Sequence, residues 1–353
     1  MKIVSRLINN LKLLGVECIT RSDSPEMWAK VFSELHYQPN EYSAEMINYQ
    51  HAYSQSAGYN ITDCSLILLS GGKAFGLWVL TVGQLEDEYF LTSCGFPIHS
   101  PIFLKTAQRK LIKRTCVSLM QLLSKPSSIG IKTEIVIQQN SWPEVVRSGC
   151  SDWHLQALAN GAVPTVKYDL FVNLIPSLKE VKSSFRKSYK PLINKGIREW
   201  SSLILTSDNI KPSIWLEFKR LHEEVAGRIT RNTETWDLQY KMILSGHAFL
   251  VSLRNKEEAS LVGGGFFQMT RDEGIYSVGA YNRTLFAKPL GHVVQQLAIE
   301  HMKSCGLTWY RVGERVYSQN RPTPTKKEID VSFFKAGFAN CTLYRFDFAL
   351  PPS

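Results

Sequence analysis

The predicted elements follow the same order in both halves of this chain, and that repeat limits its possible folds more than any single motif. In the second half, three strand-like runs occupy 249–253, 261–267 and 274–281. A helix follows from about 292, and a further strand-like run occupies 307–312. The first half has the same series: 65–69, 74–82, 89–94, 109–123 and 129–137. Strands and helices mixed in this way predict an α/β protein (α+β, with mixed sheets) of two tandem domains, 1–165 and 166–353.

The bulk composition is that of a globular protein. The 353 residues are 44% hydrophobic and 20% charged, which is enough apolar surface for two domains of ordinary size. No apolar run approaches the roughly 20 residues that a membrane-spanning helix needs, and residues 1–20 lack the features of a signal peptide. We therefore expect a cytoplasmic protein. The amphipathic segment 2–14 is predicted to be a packed terminal helix, with a membrane-surface helix as the alternative.

The seven cysteines show no pairing pattern. They are scattered through the chain at Cys18, Cys64, Cys94, Cys116, Cys150, Cys305 and Cys341. None belongs to a CxxC pair or lies near a run of histidines, so we predict buried free thiols and no metal site.

The formal net charge of +10 and a pI near 9.2 indicate an anionic partner, which could be a phosphate-rich cofactor, a nucleotide-activated substrate, RNA or an acidic membrane face. Seven cations lie close together among only two carboxylates: Lys179, Lys182, Arg186, Lys187, Lys190, Lys195 and Arg198. Such a run is typical of a polyanion-binding surface and also of an ordinary solvated helix face. Within it, Pro191 predicts a kink or the first turn of a second helix.

The segment 281–291 has the features of an anion-binding loop. It follows a strand-like run, carries cations and leads through a glycine into a patterned helix that Gly306 should end. Backbone N–H groups and the helix dipole favour a phosphate at such a place. Four residues are therefore assigned to donor binding: Arg283, Lys288, Gly291 and His292. The alternative for His292 is a structural or capping role.

Four segments, together with the repeat, resemble the tandem acyltransferase fold of the FemAB-like proteins, which consists of two GNAT-type domains. They are 184–189, 222–231 with Trp236, 276–283 and 332–338, and the resemblance spans about 65–348. The last segment is the most specific, because in the GNAT fold a short helix ending in Gly-Phe precedes the final strand, here expected at 341–350. Gly337 is placed to adopt the left-handed conformation that ends a helix.

The resemblance implies transfer of an acyl or aminoacyl group to an amine. Some relatives extend peptidoglycan side chains with aminoacyl-tRNA, and others acylate small molecules or sugars with a thioester donor. No heptad run supplies the coiled-coil arm found in part of the peptidoglycan branch. The coenzyme A branch commonly has a tyrosine on the short helix, where this chain has Phe333, and a glycine-rich pyrophosphate loop, which is reduced here to Gly291.

Transfer to an amine needs a base, donors for the oxyanion and a site that positions both substrates. Two strands separate in a GNAT-type domain, so the resemblance places the acyl carbonyl against the backbone of Val278, Gly279 and Ala280. Glu314, just past the last strand of the series, is the candidate base, with a surface salt bridge as the alternative. Tyr281 is the other catalytic candidate.

Four residues near the end of a predicted helix are candidates for acceptor binding: His222, Arg228, Arg231 and Trp236. Two arginines beside an aromatic ring can hold a carboxylate or phosphate by paired hydrogen bonds. The alternative is a capping and salt-bridge cluster with Glu223, Glu224 and Glu234. In the first half, the equivalent loop 95–103 has two prolines and is predicted to be structural. We therefore expect a degenerate N-terminal domain on the acceptor side, a donor on the C-terminal domain, and an active site between them.

Three functions are compatible with these features. The leading hypothesis is an N-acyltransferase that uses acyl-coenzyme A or a similar thioester to acylate an amine of a small molecule or amino sugar. The second is an aminoacyl-tRNA-dependent transferase of the peptidoglycan type, which the net charge favours. The third is a binding protein that kept the fold without the chemistry, suggested by Phe333. No pattern identifies the acceptor, the acyl group or the oligomeric state.

Overall fold

A computed structural model describes residues 2–139, 142–143 and 150–351. The chain divides into two compact units: unit 1 is Met1–Lys167 with Tyr344–Ser353, and unit 2 is Tyr168–Leu343. The chain thus forms most of unit 1, then unit 2, and returns to unit 1 with its last residues, which the sequence-based boundary grouped with the second domain. Helices and mixed sheets occur in both units, which confirms the predicted α/β class.

Unit 1 combines helices with a series of short strands. Its described helices are α1 (Lys2–Leu13), α2 (Pro25–Glu34), α3 (Ala44–Ser56), α4 (Arg109–Leu123) and α5 (Asp152–Ala159). Its strands are β1 (Glu17–Thr20), β2 (Asn60–Asp63), β3 (Leu66–Ser70), β4 (Lys73–Trp78), β5 (Thr81–Leu85), β6 (Glu88–Thr92), β7 (Ile98–His99), β8 (Ile102–Phe103) and β9 (Val136–Gln139). One sheet has the order β1-β3-β4-β8, and a second has the order β2-β5-β6.

The sequence predicted unit 1 with mixed success. Helix α4 has the predicted bounds, and α1 is packed as expected, with Leu7 and Leu11 fully buried. The predicted strand 74–82 was wrong, because the chain leaves one sheet after Trp78 and enters the other as β5. The predicted strand 129–137 was also wrong over most of its length, because Pro126 begins a 3-10 turn and pairing starts only at β9.

Unit 2 contains longer strands. Its helices are α6 (Leu178–Ser183), α7 (Tyr189–Glu199), α8 (Pro212–Ala226), α9 (Thr233–Leu244), α10 (Leu290–Ser304) and α11 (Lys326–Ala336). Its strands are β10 (Val163–Asn173, which enters unit 2 at Tyr168), β11 (Trp200–Leu205), β12 (Ala248–Asn255), β13 (Leu261–Met269), β14 (Glu273–Tyr281) and β15 (Trp309–Arg315). They follow the order β11-β12-β13-β14-β15-β10, and every neighbouring pair is antiparallel except β14 and β15.

The core of unit 2 lies between its sheet and α10. Val293 and Val294 of α10 are fully buried, as are Phe249 and Phe267, whose rings stack 5.0 Å apart on adjacent strands. The apolar spacing along α10 explains this burial, and Gly306, with φ of 83°, follows its end as predicted. Burial of these side chains fixes the start of α10 against the sheet.

Two predictions about helix ends have different outcomes. Pro191 lies in the first turn of α7, as predicted, because its missing N–H has no partner to lose there. The left-handed conformation predicted for Gly337 was wrong, since its φ is −71°. Glycine is required at this position for a different reason: a Cβ built on it would lie 2.3 Å from the Tyr189 Cε2 atom.

The final strand, β16 (Cys341–Ala349), confirms the strand predicted at 341–350. Its residues 346–349 pair with β9 in unit 1, which also pairs in parallel with β7. All seven cysteines are free thiols, but Cys150 and Cys305 are exposed, so the prediction of burial was wrong for these two. Both lie beside helix ends, where the chain is at the surface. None of the described helices is both long and apolar enough to cross a membrane.

Candidate functional site

Strands β14 and β15 run side by side only at their beginnings. Their parallel register ends at Ile275 opposite Arg311. Past that point β14 continues to Tyr281 beside β13, and β15 continues to Arg315 beside β10. Because a strand edge that loses its neighbour exposes backbone hydrogen-bonding groups, the divergence creates a polar opening within unit 2.

A β-bulge lies in β14 at this opening. The register with β13 shifts so that Ser277 has no partner of its own. Ser277 and Gly279 are exposed, whereas Val278 and Ala280 are buried. A bulge changes the direction of nearby side chains, and a Cβ built on Gly279 would lie only 1.9 Å from the Tyr276 hydroxyl oxygen. Glycine therefore leaves space for the Tyr276 ring above the strand.

Two tyrosines occupy this face of β14. The hydroxyl oxygens of Tyr276 and Tyr281 are 3.0 Å apart. Burial raises the pKa of Tyr276 to about 12. Burial, followed by the neighbouring Tyr276, raises the pKa of Tyr281 well above its ordinary value. Both phenols therefore keep their protons near neutral pH and can donate hydrogen bonds, but neither is a base.

Lys335 of α11 reaches the same opening, although the sequence did not single it out. Its Nζ atom lies 5.3 Å from the centroid of the Tyr276 ring. A Cβ built on Gly313 of β15 would lie 2.8 Å from that Nζ. Among the described residues, Lys335 forms no ion pair with a carboxylate. Burial lowers the pKa of its ammonium group, and a cation shifted in this way beside an opening is typical of a functional site.

A cavity of about 500 Å³ lies between the end of β15 and α11. Its lining residues are Glu314, Val316, Thr325, Lys327, Glu328, Val331, Ser332 and Lys335. The Glu328 carboxylate caps the start of α11 by accepting a 2.7 Å hydrogen bond from the Thr325 backbone N–H. Glu314, the predicted base, thus lines one cavity with Lys335, a cation that can stabilise negative charge.

The segment before α10 holds the predicted donor-binding cations in other contacts. The Arg283 guanidinium donates to the Val225 carbonyl oxygen at the end of α8. Lys288 forms an ion pair with Glu199 at the end of α7. Both side chains keep substantial exposure, so these contacts leave them at the surface of unit 2. Their assignment to donor binding stays a prediction.

The start of α10 packs on aromatic rings. A Cβ built on Gly291 would lie 3.1 Å from the Phe334 Cζ atom, so glycine permits a close approach of the two helices. The His292 ring lies 4.5 Å from the Tyr189 ring and 5.0 Å from the Phe334 ring. Burial, then the Arg186 charge, lowers the pKa of His292 to about 4. His292 is therefore a neutral member of an aromatic cluster near pH 7.

The predicted basic window forms α6, α7 and their connection. Lys182 pairs with Glu300. The Arg186 guanidinium lies 3.8 Å from the centre of the Phe333 ring and donates a 2.9 Å hydrogen bond to the Phe333 carbonyl oxygen. The other side chains are exposed and form no ion pair within the described part of the chain: Lys179, Lys187, Lys190, Lys195 and Arg198. Much of the predicted charge thus faces solvent.

The predicted acceptor residues lie at the junction of α8 and α9. The buried Arg231 guanidinium lies 3.8 Å from the centre of the Trp236 ring and donates a 2.7 Å hydrogen bond to Gln239 Oε1. The His222 ring lies 5.2 Å from the same indole. Arg228 is exposed in the loop between the helices. The structure therefore brings three of the four together and adds Gln239, which the sequence did not single out.

The predicted alternative for this group was a salt-bridge cluster. Among the described residues, Glu223, Glu224 and Glu234 form no ion pair with the acceptor candidates. Burial, followed by the Arg231 charge, lowers the pKa of His222, so this ring is neutral near pH 7. The described residues also contain no group of three or more His, Cys, Asp or Glu side chains that could hold a metal ion.

Comparison with solved structures identifies the fold as two tandem GNAT-like domains. A crystal structure of FemX matches with a TM-score of 0.63 at 12% identity, over 94% of this chain and 96% of that chain. The C-terminal domain of a putative lysylphosphatidylglycerol synthetase from Agrobacterium fabrum matches with a TM-score of 0.56 at 9% identity, over 92% and 93%.

A tandem GNAT protein from the clavulanic acid biosynthesis pathway also matches, with a TM-score of 0.51 at 12% identity, over 96% and 99%. No protein-family model and no curated protein matches the sequence. The predicted resemblance in fold is therefore confirmed, while the chemistry has to be argued from the residues of unit 2.

Proposed function

We propose that this protein is an N-acyltransferase that moves an acyl group from an activated donor, such as acyl-coenzyme A or a similar thioester, to an amine of a small molecule or amino sugar. The observation that carries the proposal is the position of Lys335 in unit 2. Lys335 is a partly buried cation with no carboxylate partner among the described residues, and it lies where β14 and β15 separate. Glu314 lines the same cavity.

These two side chains suit the charges that develop in acyl transfer. The amine nitrogen attacks the acyl carbonyl carbon, and the new C–N bond leaves negative charge on the carbonyl oxygen. The Lys335 ammonium would stabilise that oxygen, because a preorganised cation is most effective in a site shielded from water. The Glu314 carboxylate would take the proton lost by the amine. Collapse then breaks the bond to the leaving group, which departs as a thiolate and takes a proton from solvent.

The donor would lie along the open edge of β14. Ser277 and Gly279 are exposed there. Tyr281 would assist as a hydrogen-bond donor, because the raised pKa of its phenol keeps the proton in place. The assignment of the acceptor side to the N-terminal domain and of the active site to the space between the domains stays a prediction.

A substitution of Lys335 tests the proposal. The protein would be screened for a rise in melting temperature with acetyl-, hexanoyl- and palmitoyl-coenzyme A, since a ligand that binds the folded state stabilises it. Thiol release would then be followed with amines and amino sugars. We expect Lys335→Met to lower kcat about 10²- to 10³-fold, the scale of losing one oxyanion donor, while stabilisation by the donor is retained.

Lys327→Met is the matched control, because Lys327 lines the same cavity but is exposed. Equal activity of Lys335→Met and the unmodified protein would contradict the assigned role. If no thioester binds and no thiol is released with any amine, the thioester-dependent activity is wrong. If charged tRNA also fails, a binding protein that kept the fold becomes the better interpretation.

The same screen should include aminoacyl-tRNA, because one observation favours it as the donor. Exposed cations without an ion-pair partner in the described part of the chain lie on and beside α7: Lys187, Lys190, Lys195 and Arg198. A surface of this kind binds a phosphate backbone with steep salt dependence. A donor role for tRNA requires binding of charged tRNA that exceeds binding of an unrelated RNA of equal length and that weakens with added salt.

A further inference from the structure

Four side chains at the junction of α8 and α9 each bury a polar atom that has no hydrogen-bond partner among the described residues. The atoms are His222 Nδ1, Thr230 Oγ1, Trp236 Nε1 and Gln239 Nε2. Trp236 is 1% exposed and Gln239 is fully buried. An unpaired buried polar group costs about 1–3 kcal/mol, so a concentration of such atoms at one place calls for a partner.

Contacts with Trp236 and Arg231 join His222 and Gln239 to this group, and Thr230 adjoins Arg231 in the chain. The His222 ring lies 5.2 Å from the Trp236 ring, and the Arg231 guanidinium lies 3.8 Å from the centre of the same indole. Arg231 also donates to Gln239 Oε1, which leaves the amide nitrogen of Gln239 as the available group. We call these five residues the junction cluster.

The chemistry of the junction cluster selects an acceptor of hydrogen bonds. The Trp236 indole N–H and the Gln239 amide NH₂ can only donate, and the Thr230 hydroxyl can donate as well. The Arg231 guanidinium supplies one positive charge, and the neutral His222 ring supplies none. A carboxylate has two acceptor oxygens and a single negative charge, which matches this set. A phosphate dianion would bring more charge than the cluster balances.

We infer that the junction cluster binds a carboxylate group of the acceptor substrate. The inference rests on the proposed acyl transfer, and it narrows the acceptor to an amine that also carries a carboxylate, such as an amino acid or a peptide. The carboxylate accepts hydrogen bonds from Trp236 Nε1 and Gln239 Nε2 and faces the positive charge of Arg231. Arg228, exposed in the adjoining loop, adds positive charge at the approach to the cluster.

The indole N–H of Trp236 provides a direct test. In the 353-residue chain labelled with ¹⁵N-tryptophan, the eight tryptophans give eight indole signals, and Trp236→Phe identifies the one from Trp236. Sodium acetate would be titrated against acetamide and sodium chloride at equal concentrations. We expect acetate alone to move the Trp236 signal downfield in a saturable manner. The inference is overturned if acetate causes no saturable shift, or if acetamide causes the same shift, which would indicate that the site does not select a carboxylate over a neutral carbonyl group.

Two glutamine variants separate binding from packing. Gln239→Met keeps the approximate shape of the side chain but removes its donor, and should weaken acetate binding about tenfold, the loss expected for one hydrogen bond to a charged group. Gln268→Met is the matched control, since Gln268 of β13 is also buried with an unpaired amide nitrogen but lies outside the junction cluster. Equal affinities of the two variants for acetate would count against the inference.

The acetate titration, repeated with Lys335→Met, tests this inference separately from the proposed function. The titration contains no acyl donor, so a saturable shift in both the unmodified protein and Lys335→Met would establish the carboxylate site whether or not transfer occurs. If transfer is found with amines that lack a carboxylate, and acetate does not bind, the proposed function stands and the inference fails.

Discussion

The place where strands diverge in unit 2 and the equivalent place in unit 1 have opposite character. In unit 2, β14 leaves β15 after Ile275, and a lysine without a carboxylate partner in the described part of the chain fills the space. In unit 1, the equivalent segment forms short paired strands and contacts a buried ring. Segment 95–103 forms β7 and β8 in two different sheets, and the Trp78 indole donates a 3.0 Å hydrogen bond to the His99 carbonyl oxygen.

The comparison teaches that the order of elements determines the fold but not the location of chemistry. Pro97 and Pro101 flank the short strands of unit 1, where they limit the backbone to extended conformations. Where its strands diverge, unit 2 instead has Gly279 next to the Tyr276 hydroxyl and Gly313 next to Lys335. We therefore expect the chemistry in unit 2.

The largest expected difference concerns glycines that lie under aromatic rings in each unit. A Cβ on Gly265 would lie 2.7 Å from Val294 Cγ1 and 2.9 Å from Phe267 Cε2, and both of these side chains are fully buried. Gly265→Ala should therefore lower the free energy of unfolding by about 2–3 kcal/mol, as expected when a packed core must accept an extra carbon.

Gly83 of unit 1 offers the matched variant. Its Cβ would lie 2.1 Å from Phe90 Cζ, but Phe90 is only partly buried and can rotate away. Gly83→Ala should cost less than about 1 kcal/mol, in the range of adjustable sites. Urea denaturation measures both values. Equal losses for the two variants would show that the core of unit 2 is no more tightly packed around its glycines than unit 1.

The hydroxyl pair of Tyr276 and Tyr281 should have a smaller effect on stability and a separate effect on transfer. Removing one hydroxyl leaves the other without its 3.0 Å partner, so each single Phe variant should cost about 1 kcal/mol. The double variant should cost less than the sum of the two, which a double-mutant cycle would measure. If Tyr281 assists transfer, Tyr281→Phe will lower kcat more than Tyr276→Phe at equal stability. Equal values of kcat would leave the pair with a structural role alone.

Patterns along the chain predicted the elements well where packing is local. The apolar spacing of α10 and the bounds of α4 follow from helical periodicity alone. The same reasoning was wrong for 74–82, because an apolar run does not reveal that a chain changes sheets at Trp78. It was also wrong for the conformation of Gly337, whose requirement comes from the distant Tyr189 ring.

The candidate site was harder to predict for the same reason. Lys335 lies within the segment 332–338 that carried the family resemblance, yet nothing in that segment shows that the lysine lacks an ion pair or that it contacts Tyr276. Gln239 carries no pattern at all, because its significance depends on the hydrogen bond that Arg231 makes with its oxygen. Both residues become informative only when the fold shows which side chains they contact.

The smallest expected effect compares one histidine from each unit that packs against aromatic rings. His292 in unit 2 lies among Tyr189 and Phe334, and His154 in unit 1 lies 5.0 and 4.8 Å from the Phe346 and Phe348 rings. Burial lowers the pKa of His292 from 6.5 to about 4 and also lowers the pKa of His154. As the pH falls, the two imidazoles bind protons in the unfolded chain before they do so in the folded chain. Their contribution to the free energy of unfolding is therefore fully present above pH 6.5 and declines as the pH falls toward 4.

Because the His292 ring is partly exposed, we expect this decline to be only about 1 kcal/mol, well below the limit set by the full pKa shift. His292→Phe should remove more of the decline between pH 6.5 and 4 than His154→Phe, since a neutral ring fits either aromatic cluster without binding a proton. NMR titration of the two imidazoles would give their pKa values directly. A pKa near 6.5 for His292 would mean that water reaches the start of α10, and the contrast between the two units would be lost at that position.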